Sequence, residues 1–231
     1  MKKYKHIFFD LDRTLWDFEK NSSEALSEIF CEFKLEEKSI PSSEEFISVY
    51  QKINDEMWDD YRNGHISKKV LRSERYDKTL QYFGVENQEL AERIGCHYIA
   101  ESPKKTHLFP FAHETLSYLK EKYSLHIITN GFEEVQHIKL LHSNLMQYFT
   151  EVITSEQAGY KKPAKEIFEF ALQKANAKPS ESLMIGDDLQ VDILPAKAMG
   201  MRQVYFNPEK QNHSEKIDFV ICSLDELTEI L

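Results

Sequence analysis

Short apolar runs separated by longer amphipathic stretches organise this chain. Six runs read as buried strands: His6–Asp10, Leu125–Thr129, Glu151–Thr154, Leu183–Asp187, Arg202–Phe206 and Asp218–Ile221. Between the later runs lie segments with helical spacing, Phe132–His142, Ala164–Asn176 and Leu189–Met199. Strand and helix therefore alternate through residues 106–231, which predicts an α/β fold: a doubly wound parallel sheet covered by helices on both faces. Residues 19–102 carry charged amphipathic segments and no convincing strand. Helices are expected over Glu19–Phe33, Ser43–Arg62, Ser67–Phe83 and Asn87–Glu101, with Ser43 and Ser67 as caps and Gly64 and Gly84 as stops. The simplest organisation is an all-helical domain, residues 18–105, inserted into a core made of 1–17 and 106–231. Its hinges are expected near Trp16–Lys20 and Ser102–Phe109.

Composition narrows the partners more than the fold. The chain has 231 residues, 41% hydrophobic and 12% aromatic, which suits a folded protein with a sizeable core. Its net charge of −10 and lack of a basic stripe argue against nucleic-acid polymers and anionic membranes. No stretch approaches the roughly 18 apolar residues of a membrane span. Cys31, Cys96 and Cys222 show neither zinc nor disulfide spacing and read as free thiols of a reducing compartment. With no signal-peptide pattern at the N-terminus, a cytoplasmic protein is expected.

Four polar motifs sit at the C-terminal ends of these strands, the edge at which open α/β sheets bind ligands. The first is Asp10-Leu11-Asp12-Arg13-Thr14. Alternate strand side chains share a face, so both carboxylates could enter one small space, where they repel unless a cation or proton intervenes. The second is Thr129-Asn130-Gly131, a hydroxyl and backbone N–H groups that can cradle an oxyanion, and equally an ordinary turn. The third is Lys162-Pro163, with the proline suited to a first helical turn and the lysine beside it; alone this is also a solvated lysine pair. The fourth is Gly186-Asp187-Asp188 with Asp192. Asp188 and Asp192 are four apart on one helical face, and capping accounts for one of these acids but not for all three. Acids supply hard oxygen ligands for magnesium, and the combination suits phosphoryl transfer.

These motifs, in this order, resemble the four signatures of the haloacid dehalogenase superfamily, and the resemblance spans nearly the whole chain. The helical insertion is similar to that family's helical cap. The run Thr14-Leu15-Trp16-Asp17-Phe18-Glu19 further resembles the pyrimidine 5′-nucleotidase branch. The resemblance implies a magnesium-dependent phosphomonoesterase. Asp10 would be the nucleophile that forms an aspartyl phosphate, and Asp12 the acid and base. Mg2+ would be held by Asp10, the backbone carbonyl of Asp12, and Asp187. Thr129, Asn130 and Lys162 would bind phosphate, with Asp188 and Asp192 behind them orienting Lys162 or metal-bound water. True dehalogenases of the superfamily lack the second aspartate, so Asp12 speaks against carbon–halogen chemistry. The implied substrate is a small phosphorylated metabolite, a nucleoside monophosphate or a sugar phosphate, and the protein a monomer or homodimer.

Alternatives remain open at this level. A phosphosugar phosphatase or mutase of the same superfamily would use the same residues. A receiver domain phosphorylated on aspartate also combines acids, a hydroxyl and a lysine, but draws its acids from different strands. Selectivity is expected from the cap, where Trp58, Tyr61, Arg62, Arg72, Arg75 and Tyr76 are candidates for a base or sugar, or simply for packing. Many family members carry Pro-Gly where this chain re-enters the core with Pro110-Phe111. That substitution suggests a differently shaped hinge.

Overall fold

The computed structural model describes residues 4–231. The chain divides into a sheet unit, Met1–Phe18 with Thr106–Leu231, and a helical unit, Glu19–Lys105. The sheet unit holds β1 (His6–Phe9), β2 (Ser124–Thr129), β3 (Phe149–Thr154), β4 (Ser182–Gly186), β5 (Arg202–Phe206) and β6 (Phe219–Ile221). All neighbours pair in parallel, in the order β3-β2-β1-β4-β5-β6. The chain adds β2 and β3 on one side of β1 and then returns to place β4 on the other. This reversal makes β1 and β4 the switch point of the sheet.

Side-chain alternation explains why these runs form a two-sided sheet. Ile7 and Phe9 of β1, Leu125 and Ile127 of β2, and Leu183 and Ile185 of β4 enter one core. Phe8, Ile128 and Met184 enter the opposite one. Helix α5 (Ala112–Lys120) covers the first face with Leu116 and Leu119, and α8 (Lys165–Lys174) covers the second with Ile167, Phe168 and Ala171. With both faces covered, nearly every strand position must be apolar, as parallel sheets require.

The helical unit has its own core. Helices α1 (Phe18–Glu32), α2 (Ser43–Arg62), α3 (Lys68–Tyr82) and α4 (Gln88–Glu101) bury Leu26, Ile29, Phe46, Tyr50, Tyr76, Leu80, Ile94 and Tyr98 together. Ser67 caps α3 by accepting from Val70 N–H at 3.3 Å. For α2 the cap is Ser42, whose extended backbone lets its hydroxyl accept from Glu45 N–H at 3.2 Å; Ser43, expected there, is the first helical residue. Gly64 and Gly84 follow the ends of α2 and α3. Arg75 is buried against the rings of Tyr50, Tyr76 and Tyr98 and bonds Asn54 at 2.9 Å, so within this unit it packs with its own neighbours. No described helix is long and apolar enough to cross a membrane.

Two expected helices begin differently. The turn that contains Pro163 is closed by Ala164 N–H to Lys161 C=O at 2.9 Å, and α8 starts only at Lys165, so the proline precedes the helix instead of entering its first turn. Leu189–Met199 is not one regular helix. It opens as a π-helical turn, Leu189–Ile193, and continues as α9 (Leu194–Ala198), with Pro195 supplying no N–H to a regular ladder. The remaining helices of the sheet unit are α6 (Glu133–His142), α7 (Ser155–Ala158) and α10 (Leu227–Ile230).

Phe111 lies just before α5 with φ 66°, a left-handed conformation that a residue with a Cβ adopts at a cost. Glycine, expected there from the family resemblance, would bear no such cost. Phe111 is 48% exposed, so its ring is only partly engaged in packing. Phe111→Gly is expected to be more stable than Phe111→Ala, which loses the same ring but keeps the Cβ, by about 0.5–1 kcal/mol after allowing for the greater freedom of glycine when unfolded. A thermal midpoint a few degrees above that of Phe111→Ala would show it.

His126 of β2 takes an inward position, stacked on Phe8 with 4.7 Å between ring centroids. Burial lowers its pKa from 6.5 to about 4, with His6 adding to the effect. The unfolded chain therefore binds a proton that the folded chain refuses, and stability falls as pH drops from 6.5 to about 4. The loss is expected to reach up to about 3 kcal/mol. Urea midpoints across that window should slope accordingly, and His126→Phe should flatten the slope.

Candidate active site

The C-terminal ends of β1, β2 and β4 supply the site. Asp10 follows β1 directly, and its N–H donates to Ile185 C=O of β4 at 2.9 Å, so the strand pairing itself sets its position. Asp187 follows β4, and Asp192 comes from the π-helical turn behind it. Oxygens of Asp10, Asp187 and Asp192 all lie within 4.8 Å of one another. Gly186 makes this approach feasible: a Cβ there would lie 2.4 Å from Asp192 Oδ2.

One ammonium lies among these acids. Lys162 Nζ donates to Asp10 Oδ1 at 2.5 Å and to Asp192 Oδ1 at 2.6 Å, and the side chain is 2% exposed. Asn130 holds the lysine's backbone. Lys162 N–H donates to Asn130 Oδ1 at 2.7 Å, and Asn130 Nδ2 donates to Lys162 C=O at 2.9 Å. Asn130 is thus tied to Lys162 through its side chain, leaving its own N–H as the group that can face an anion. Thr129 ends β2, and its hydroxyl accepts from Gly131 N–H at 3.0 Å. Thr14 donates to Asp187 Oδ1 at 3.0 Å.

Electrostatics follow from burial and from the excess of acids. Burial raises the Asp10 pKa well above the usual carboxylate range; Lys162 opposes the shift, while Asp192 and Asp187 reinforce it. Asp187 is raised to about 7, by burial first and then by Asp192, against the Thr14 hydrogen bond and Arg13. Asp192 is raised too, chiefly by burial, and Lys162 opposes. For Lys162, burial would lower the pKa, but Asp10 and Asp192 outweigh it and the net shift is upward. Three carboxylates around one lysine leave two negative charges unbalanced. A divalent cation that prefers carboxylate oxygens fits that deficit in both charge and donor type.

Not every candidate acid joins the cluster. Asp188 caps the helical turn, its Oδ1 accepting from Gln190 N–H at 2.8 Å and Val191 N–H at 3.0 Å. Asp12 stands outside the group of Asp10, Asp187 and Asp192. Its Oδ2 accepts from Gln136 Nε2 at 2.8 Å and its Oδ1 from Lys139 Nζ at 2.5 Å. The repulsion expected between Asp10 and Asp12 is thus met by two lysines, one for each acid. The sequence reading missed Gln136 and Lys139. Helical spacing gave no sign of them: the buried positions of α6 are Gln136, Lys139 and Leu140, so two polar side chains occupy an inward stripe that only the structure shows.

The haloacid dehalogenase-like hydrolase profile matches residues 4–200, most of the chain. The chain belongs to that family. It is therefore a hydrolase, with the parallel α/β sheet of its relatives. It is 32% identical to pyrimidine 5′-nucleotidase YjjG of Escherichia coli (strain K12), covering 99% of this chain and 98% of that one. It is 33% identical to a glyceraldehyde 3-phosphate phosphatase of Pyrococcus furiosus, over 100% and 94% of the two chains. Among solved structures, the putative HAD-hydrolase YfnB from Bacillus subtilis, bound to magnesium, superposes with a TM-score of 0.88 at 26% identity and 99% coverage of both chains.

Replacing Lys162 by methionine would leave three buried carboxylates with no ammonium. A loss of about 3 kcal/mol or more is expected in metal-free protein near pH 8. Because all three acids have raised pKa values, they take up protons as the pH is lowered, and the deficit should shrink. Denaturant titrations of the wild type and Lys162→Met at several pH values test this.

Proposed function

We propose that the protein is a magnesium-dependent phosphomonoesterase acting through an aspartyl phosphate, and that its substrates are pyrimidine nucleoside 5′-monophosphates. The observation that carries this reading is the buried Lys162 ammonium bonded to Asp10, within a cluster left with two uncompensated acid charges. Such a centre favours an anionic nucleophile, a divalent cation and a phosphoryl group together. Asp10, the backbone carbonyl of Asp12 and Asp187 would hold magnesium, which when bound neutralises charge on the phosphoryl oxygens. Asp192 keeps Lys162 in place.

The residues divide the chemistry as follows. A carboxylate oxygen of Asp10 attacks phosphorus. The bond from phosphorus to the substrate oxygen breaks, its electron pair stays on that oxygen, and Asp12 delivers a proton to it. Thr129 and the Asn130 N–H hold phosphoryl oxygens, and Lys162 balances their charge. Water then attacks the same phosphorus and gives its proton to Asp12, the Asp10–phosphorus bond breaks, and the Asp10 carboxylate is restored with release of phosphate. Selectivity is assigned to residues 18–105, with 1–17 and 106–231 supplying the chemistry.

The nucleotide preference is supported by the run Thr14–Glu19 and by the full-length similarity to a named pyrimidine 5′-nucleotidase. A sugar-phosphate reading is favoured by the equally extensive similarity to a named glyceraldehyde 3-phosphate phosphatase. Phosphate release from UMP, dUMP, dTMP and a panel of sugar phosphates, with and without magnesium, separates the two. The expected result is magnesium-dependent release with pyrimidine nucleotides ranked first. Asp10→Asn should lower turnover by about 10³-fold or more. Sugar phosphates ranked first would favour the second reading, and undiminished activity of Asp10→Asn would overturn both.

A further inference from the structure

The contacts that hold Asp12 belong to α6 and not to any of the four motifs. Gln136 and Lys139 are three apart on that helix, one turn's spacing on a single face. Each takes a different oxygen of the Asp12 carboxylate, Gln136 Nε2 on Oδ2 at 2.8 Å and Lys139 Nζ on Oδ1 at 2.5 Å. Two donors on two oxygens fix both the rotamer and the ring-like plane of a carboxylate, where one donor would fix neither.

The donors are themselves confined. Lys139 Nζ lies 4.1 Å from the centroid of the Trp16 indole, which is fully buried, and the lysine side chain is only 6% exposed. Gln136 is 1% exposed, and turning its amide over would set Oε1 against the Asp12 oxygen. Gly131 completes the device. A Cβ at that position would fall 1.4 Å from Gln136 Nε2, so the glycine of Thr129-Asn130-Gly131 is the opening through which the Gln136 amide reaches Asp12. Asp12 meanwhile keeps 26% of its side chain exposed, so its remaining lone pairs stay accessible to a reacting group while the lysine does not.

We propose that Gln136 and Lys139, with the space left by Gly131, are positioning residues that hold the Asp12 carboxylate in the orientation from which it transfers protons. The proposal rests on the function proposed above and adds to it the elements that aim its acid and base. The clamp acts at the step in which the phosphorus–oxygen bond breaks and the departing oxygen takes a proton from Asp12. An alkyl leaving group, such as a nucleoside or sugar hydroxyl, needs that proton. p-Nitrophenolate leaves without it.

The test compares kcat/KM on two esters, p-nitrophenyl phosphate and the best alkyl phosphate from the substrate assay, because kcat/KM reports formation of the phosphoenzyme. Lys139→Met is expected to lose at least about tenfold on the alkyl ester and less than about threefold on the aryl ester, a part of the 10²–10⁴ that acid–base catalysis supplies. Lys139→Arg should recover part of the loss. Gln136→Met should show the same selective loss, and it carries the test if Lys139→Met does not fold. Equal losses on both esters, or none on either, would overturn the proposal and leave a merely structural ion pair. Asp12→Asn distinguishes the levels: it should show the same selectivity more strongly, and if it shows none, the acid role of Asp12 fails, not only its positioning.

Discussion

The Lys162 ammonium, bonded at once to Asp10 and Asp192 in the interior, is the interaction on which the site depends. Burying a carboxylate costs several kcal/mol unless it is paired, and here three converge within 4.8 Å. The lysine tethers two of them but balances only one of the three charges. Their pKa values accordingly rise while that of the lysine rises too, the pattern of a cation well satisfied among too many anions. Such an arrangement is poor as a source of stability. Under the function proposed above it would bind positive charge and then a phosphoryl group, and the surrounding fold is arranged to tolerate it.

That tolerance comes from backbone more than from side chains. Asp10 is placed by the pairing of β1 with β4, and Lys162 by a two-point grip from Asn130 on its peptide groups. Gly186 gives Asp192 room to cross above the end of β4. The π-helical turn then brings Asp192 inward while Asp188, at its start, spends its carboxylate on capping. Two acids four residues apart therefore have different roles, one facing the lysine and one completing a helix end.

The two aspartates of the first motif are likewise separated by their partners. Asp10 is tied to Lys162 and Asp12 to Lys139 and Gln136. Proximity in sequence suggested a shared cation. The structure gives each carboxylate its own ammonium, Lys162 from the segment after α7 and Lys139 from the helix after β2. In the mechanism proposed above, Asp10 as nucleophile and Asp12 as proton carrier need different surroundings, and separate partners supply them.

The strands and most helices could be read from periodicity, because a parallel sheet covered on both faces demands unbroken apolar runs, and these are short and bounded by polar residues here. Asp10, Thr129 and Asp187 were legible for a related reason: each stands where an apolar run stops, whereas Lys162 follows α7 and was marked by the proline beside it. Gln136 and Lys139 were not legible, since a helix pattern marks a polar residue as solvent-facing, and only the tertiary placement of α6 turns them inward to Asp12. Nor did the sequence show that Ser42 rather than Ser43 caps α2, that Leu189–Met199 starts with a π turn, or that Phe111 takes a left-handed backbone. Those depend on the directions in which neighbouring peptide groups point. Local composition thus determined which motif residues are candidates for chemistry and at which edge of the sheet they lie. Which acid meets which cation was decided by tertiary structure, because charge pairing in a buried site is set by distance through space, across 152 residues for Asp10 and Lys162.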